Sequence, residues 1–306
     1  DMQGNIRQKS IFRPHSYSPD IIIRTNNIKA APTIGSTGQM TPTIRKYGSV
    51  VMGNVSKVYL IWYGNWKGAG SNTSNGQAII NKLVTGLADT SNPYVKVTTQ
   101  KTGTSVGSQG AYNAILSSPT IVNYSPAALY PYTTTLTDAN VQSLVKDAIN
   151  ATSSGIPDKD AIYLVLTSSE VNESSGFCSK YCGWHTYTSM LVNGSPVPVK
   201  YGFIGNPDQC ILNCAVQSTT SPNGLPGIDG MASVIAHEME EIVTDPLLNN
   251  WHNSQGYENA DMCAWTFGSS TLDLPTSSYY NVEFGAQKFL LQRALGSNSY
   301  CYTKVN

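Results

Sequence analysis

The stretch KVYLIWY at residues 57–63, with AIYLVLT at 161–167, decides the fold. Both are apolar at nearly every position and rich in β-branched and aromatic residues. Each therefore reads as a strand buried on both faces, near the middle of a sheet. A third strand is expected within 199–205. Between the first two, Ile79, Ile80, Leu83, Val84 and Leu87 recur at the 3.6-residue spacing of a helix over about 76–88. A second helix, about 138–150, opens at a Thr137/Asp138 cap and buries Val141, Leu144, Val145, Ala148 and Ile149. Strand–helix–helix–strand order predicts an α/β (mixed α+β) fold layered around one central sheet. No internal repeat and no long Gly/Ser linker divides the chain. A single domain is expected over 46–306, with residues 1–45, which lack a sustained period, as an N-terminal arm or leader.

The 306 residues carry 19 Lys and Arg against 19 Asp and Glu, a net charge of zero, so no field favours nucleic acid or an anionic membrane. No apolar run reaches eighteen residues, so no membrane span is expected. The chain begins at Asp1 without an initiator Met or an apolar signal stretch, which reads as a processed N-terminus or a trimmed chain. Six cysteines include two C-x3-C pairs, Cys178/Cys182 and Cys210/Cys214, with Cys263 and Cys301 apart. An even count in a polar, Tyr-rich chain reads as three disulfides and a secreted, extracellular protein. A four-thiolate zinc site from the two C-x3-C pairs is the rival. Six glycosylation sequons, at Asn54, Asn72, Asn123, Asn150, Asn172 and Asn193, fit a secreted glycoprotein, although roughly five would arise by chance in so Asn- and Ser-rich a chain.

Chemistry concentrates at 229–245, DGMASVIAHEMEEIVTD, followed by Pro246. Asp229 is the expected N-cap and Pro246 the stop. Met231, Ile235, Met239 and Ile242 share one apolar arc, while His237 and Glu241, four apart, share another face. Donors at i and i+4 converge on one point, as in the H-E-x-x-H helix that holds zinc, here H-E-x-x-E. Glu238 takes the place of the general base that activates water beside the metal. Four of the seven glutamates, Glu238, Glu240, Glu241 and Glu258, fall within 21 positions. The plain alternative is a solvated acidic helix face.

A third ligand is expected downstream in YENAD, 257–261. In thermolysin-like zinc peptidases a later Glu completes the site and a nearby Asp orients the first His. Glu258 as ligand and Asp261 in support match those roles, or the two are reversed. His252 is either a transition-state donor or a surface residue. One His with two carboxylates is an oxygen-rich set; zinc is the first choice, with manganese, iron or calcium open.

The chain resembles the EXORDIUM/phosphate-induced protein family of secreted proteins, best known from plant cell walls. The likeness runs from about Val58 to Tyr302. It rests on LIWYGNW (60–66), YLVLTSSEV and GFCSKYCGWH (within 163–185), YGFIGNPDQCILNCA (201–215), GIDGMASVIAHEMEEIVTDP (227–246), ENADMCAW (258–265) and YNVEFGAQKFLLQRAL (280–295). The resemblance implies the pairs Cys178–Cys182, Cys210–Cys214 and Cys263–Cys301. Plant members, as the family is usually described, carry no metal helix here, so this chain resembles a branch in which it is intact. The family has no agreed activity.

The leading expectation is a single zincin-like domain with a metal-bearing helix, stabilised by disulfides, acting as a secreted metal-dependent hydrolase or zinc peptidase on peptide substrates. His237, Glu241 and Glu258 hold the metal, with Asp261 in support. The alternative is a non-enzymatic matrix or cell-wall protein that binds glycan or a protein partner, its metal structural or absent. Trp62, Trp66, Trp184 and Trp251 are candidate sugar platforms, unless buried.

Overall fold

The computed structural model describes residues 10–12, 52, 54–68, 70–89, 119–252, 256–295 and 301–303. Apart from 10–12, the proposed arm at 1–45 lies outside them.

A six-stranded sheet holds β1 (Ser10–Phe12), β7 (Gly183–Val192), β8 (Ser195–Gly205), β5 (Ala161–Thr167), β2 (Lys57–Tyr63) and β3 (Thr120–Tyr124), in that spatial order. The strands β8, β5, β2 and β3 run parallel, and β7 turns back antiparallel on β8. Both expected central strands are interior, β5 being buried along its whole length. The alternation of their side chains divides the core. Val58, Leu60, Trp62, Ile162, Leu164 and Leu166 face one cluster, while Tyr59, Ile61, Tyr63, Tyr163 and Val165 face the other.

Helix α1 (Ser74–Leu87) fills the first cluster with the expected apolar stripe, and Thr73 caps it by accepting from the Gly76 N–H. Helix α2 (Asp138–Ser153) covers the second face from a Thr137/Asn140 capping box. The one-turn α3 (Ile211–Cys214) leads to α4 (Pro226–Thr244). The last helix starts three residues before the expected cap. Pro226 sets the first turn and Leu225 is the cap residue. Asp229 instead accepts from the Ser221 hydroxyl at 2.6 Å and the Asn223 side chain at 2.6 Å. Helix α4 is buried almost all round rather than presenting a solvated acidic face. The four tryptophans offered as sugar platforms are all buried, Trp62 and Trp66 against α1 and α4, and Trp184 on the opposite face of the sheet.

The disulfides correct the expected pairing. Cys178 joins Cys210, Cys182 joins Cys214, and Cys263 joins Cys301, with Cα–Cα distances of 5.7, 5.5 and 5.7 Å. The cause is the β7/β8 hairpin. Antiparallel pairing sets Gly183 opposite Ile204, so the residues just before β7 lie beside those just after β8. Each cysteine of one C-x3-C thus meets one of the other. All four are consumed, which removes the thiolate zinc site.

A buried carboxyl group lies away from α4. Glu173, at the end of β6 (Asn172–Glu173), accepts from the Ser175 N–H at 2.9 Å, the Ser175 hydroxyl at 2.7 Å and the Tyr181 hydroxyl. Burial, then the Asp138 carboxyl, pushes it from 4.5 up to about 7, against the Ser175 hydrogen bonds. The folded state therefore keeps a proton that the unfolded chain has released between those values. This group's contribution is complete below pH 4.5 and is lost as the pH rises through 7. Glu173→Gln, permanently neutral, should flatten that slope, removing a pH-dependent difference of at most about 3 kcal/mol. Denaturation midpoints at pH 5 and pH 8 measure it; equal slopes in both proteins would refute the assignment.

Candidate metal centre

Three elements separated in sequence converge beneath the sheet edge. In β7, Trp184 faces the α2 side, and the two-residue period turns His185 to the other side, where α4 packs. Contact is close there. A Cβ at Gly183 would lie 2.6 Å from the Val234 side chain and 3.2 Å from Glu238 Oε1. Helix α4 supplies His237, Glu238 and Glu241. The segment after it supplies Glu258 and Asp261, and Asp261 opens a 3₁₀ turn that ends at Cys263. That segment is fastened from three sides. The Asp261 N–H donates to Glu241 Oε1 at 2.9 Å, the Thr244 hydroxyl donates to Asn259 at 3.2 Å, and Cys263 is tied to Cys301.

The donors fall into two groups that share Glu241: His237, Glu241 and Asp261, and His185, Glu238 and Glu241. In the first, His237 Nε2 stands 3.1 Å from Glu241 Oε1 and 3.5 Å from Asp261 Oδ1. In the second, His185 Nδ1 stands 3.1 Å from Glu238 Oε2 and 3.7 Å from Glu241 Oε2. The other nitrogen, His185 Nε2, faces Glu258 Oε1 at 3.5 Å. Every one of these side chains is at most 3% exposed except Asp261, at 12%. The i, i+4 pair thus meets as the sequence predicts, and Asp261 rather than Glu258 stands beside it. Glu258 instead faces His185.

His252 does not belong to either group; its backbone bridges that of Glu258. Asp245, the C-cap of α4, also stays out, accepting from the Asn249 and Asn250 N–H groups. Of the six sequon asparagines, five are exposed, while Asn72 is half-buried with its amide engaged by Ser169, Glu170 and Asn206.

His185 escapes the sequence reading. The missed signal is Asn193-Gly194, where both residues have positive φ (50° and 79°) at the β7/β8 turn. Asn-Gly between alternating residues is a strong two-residue hairpin sign, and it sets His185 opposite Gly202.

The electrostatics record a shortage of positive charge. Burial alone would depress His237, yet the Glu241 charge and the Asp261 hydrogen bond outweigh it and raise it to about 10. Burial likewise opposes protonation of His185, and Glu258 and Glu238 hold its pKa well above the ordinary range. Burial raises Glu238 against the pull of His185, and burial with the Asp261 charge raises Glu241 further. Both imidazoles and both glutamates are thus held toward their protonated forms. The orphaned atoms agree. His185 Nε2, Glu238 Oε1, Glu241 Oε2 and Glu258 Oε1 are buried and make no hydrogen bond. Imidazole and carboxylate donors in this state fit a divalent transition metal.

Residues 45–303 match the family described as the phosphate-induced protein 1 conserved region. The chain belongs to the phosphate-induced protein 1 family. Among its relatives, Protein EXORDIUM-like 3 of Arabidopsis thaliana is 27% identical over 271 residues, 80% of this chain and 77% of that protein. Protein PHOSPHATE-INDUCED 1 of Nicotiana tabacum is 27% identical over 293 residues, 84% and 87% of the two chains. No solved structure matches. The phosphate-induced protein 1 match spans every strand of the sheet except Ser10–Phe12, together with α4, the 258–261 segment and all six cysteines. Three disulfides are consistent with an oxidising, extracellular setting, and no described helix is long and apolar enough to cross a membrane.

Proposed function

We propose that this chain is a secreted metal-binding protein in which a divalent cation, zinc in the first instance, is held by His237, Glu241 and Asp261. The observation that carries the reading is the convergence of α4 and the 258–261 segment on one cluster of imidazole and carboxylate donors, in which the buried Glu241 Oε2 makes no hydrogen bond. Closed from solvent, such a cation cross-links the helix to the segment that follows it and stabilises the fold. Protein purified without chelator should contain bound transition metal, and chelation should lower Tm. Binding at a hundred times Kd contributes about 2.7 kcal/mol. In a chain of 306 residues that corresponds to a shift of roughly 4 °C. Metal-free protein with an unchanged Tm after zinc addition would sink the reading.

A second reading, metal-dependent peptide hydrolysis, is favoured by one observation. The backbone of Ser10–Phe12 lies antiparallel along Gly183–His185, with Ser10 opposite His185, so extended polypeptide is accommodated at the sheet edge beside the donors. In this reading Glu238 takes a proton from the attacking water and passes it to the leaving amine. Glu238→Gln should then lower turnover by about a hundred- to ten-thousand-fold. Incubation of both proteins with a complex peptide mixture, with and without chelator, reads the outcome by mass spectrometry. The absence of any chelator-sensitive cut in the wild type leaves the metal-binding reading alone.

A further inference from the structure

Two sets of donors, not one, face each other across Glu241, and a single cation satisfies only one of them. The geometry points to a second divalent cation, held by His185 Nδ1, Glu238 and Glu241, with the Glu241 carboxylate bridging the two ions. This inference rests on the metal site proposed above.

The spacings support it. Two donors each about 2.1 Å from one ion lie roughly 3.0–3.5 Å apart. The first set shows separations of 3.1 and 3.5 Å, the second 3.1 and 3.7 Å. Glu241 divides its oxygens between them, Oε1 toward His237 and Oε2 toward His185. That is the arrangement of a carboxylate spanning a pair of ions about 3.5–4 Å apart. Oε2 makes no hydrogen bond, and neither does Glu238 Oε1, although both are buried.

Charge counts the same way. Glu238, Glu241, Glu258 and Asp261 are four carboxylates, and among the described residues their ion-pair partners are His185 and His237 alone. One dication with neutral imidazoles leaves two negative charges in a site closed from water, where uncompensated charge is costly. Two dications leave none. Glu258 then has a defined place. Its Oε1 stands 3.5 Å from His185 Nε2, and closing that gap to a hydrogen bond when the ion binds would fix the tautomer that presents Nδ1 inward, as carboxylates behind metal-bound histidines do.

Folded, chelator-stripped full-length protein titrated separately with Zn²⁺ and Mn²⁺ tests the inference. Bound metal is counted after desalting, and EPR is recorded on the Mn²⁺ form. Two ions per chain are expected, with the spectrum of an exchange-coupled manganese pair. His185→Ala should bind one ion and give an isolated-manganese spectrum, and Glu238→Gln, a change that conserves shape, should weaken the same ion. One ion in the wild type, unchanged in both variants, overturns the second site and leaves the first standing. Two ions without coupling overturn the Glu241 bridge. No bound ion of either kind overturns the second site together with the proposed function.

Discussion

Glu241→Ala is expected to strip the protein of metal altogether, a larger loss than any other single donor change produces. The side chain belongs to both donor groups, so its removal takes a ligand from each. It also removes the acceptor of the Asp261 N–H, and that bond holds the downstream segment against α4. His237 and His185 would each lose a carboxylate neighbour in a site closed to water. Breaking a buried charge pair in this way costs about 3–5 kcal/mol. Elemental analysis and thermal unfolding of the variant beside wild type check the result. Metal content equal to wild type would show that the α4 carboxylate is not a ligand.

The second large effect concerns Cys263–Cys301. The bond closes a loop across 38 positions of sequence, and by loop entropy its removal costs about 4 kcal/mol. A consequence beyond stability is expected, because Cys263 ends the 3₁₀ turn that begins at Asp261. On the same strip, the Leu295 N–H donates to the Asn259 carbonyl at 3.0 Å. The C-terminal hairpin formed by the short strands Ala294–Leu295 and Cys301–Tyr302 thus holds the ligand segment in place. Cys263→Ser/Cys301→Ser should therefore lower the denaturation midpoint and weaken metal binding by roughly ten- to a hundred-fold, the usual consequence of loosening the support around ligands. A lowered midpoint with unchanged metal affinity would separate the disulfide from the site. Non-reducing peptide mapping of the wild type should recover 178–210 and 182–214 as cross-links between distant peptides, never as short internal loops.

Much of the architecture is legible in one dimension. KVYLIWY and AIYLVLT have no polar face, so they require cover on both sides, and the periodic stripes over α1 and α2 provide it. His237 and Glu241 meet as their spacing requires, because a helix brings i and i+4 together wherever it packs. The start of α4 was displaced because proline in the first turn outweighed a good capping residue one turn later. His185 was invisible for a different reason. An isolated histidine in GFCSKYCGWHTY has no helical partner, and only the Asn193-Gly194 hairpin brings β7 against β8 and over α4.

Local order was thus fixed by the residues themselves: two buried strands, two amphipathic helices, and a helix that presents a histidine and a glutamate to one point. Tertiary structure decided the rest. It crossed the disulfides, since hairpin pairing matches the residues before one strand to those after the next. It exchanged the expected places of Asp261 and Glu258, since the Asp261 N–H is anchored on Glu241 while Glu258 turns toward His185. It also closed three carboxylates and two imidazoles from water and left Asp261 partly open. Spacing along a chain determines which side chains share a face, but only packing determines what that face meets and how far it is removed from solvent.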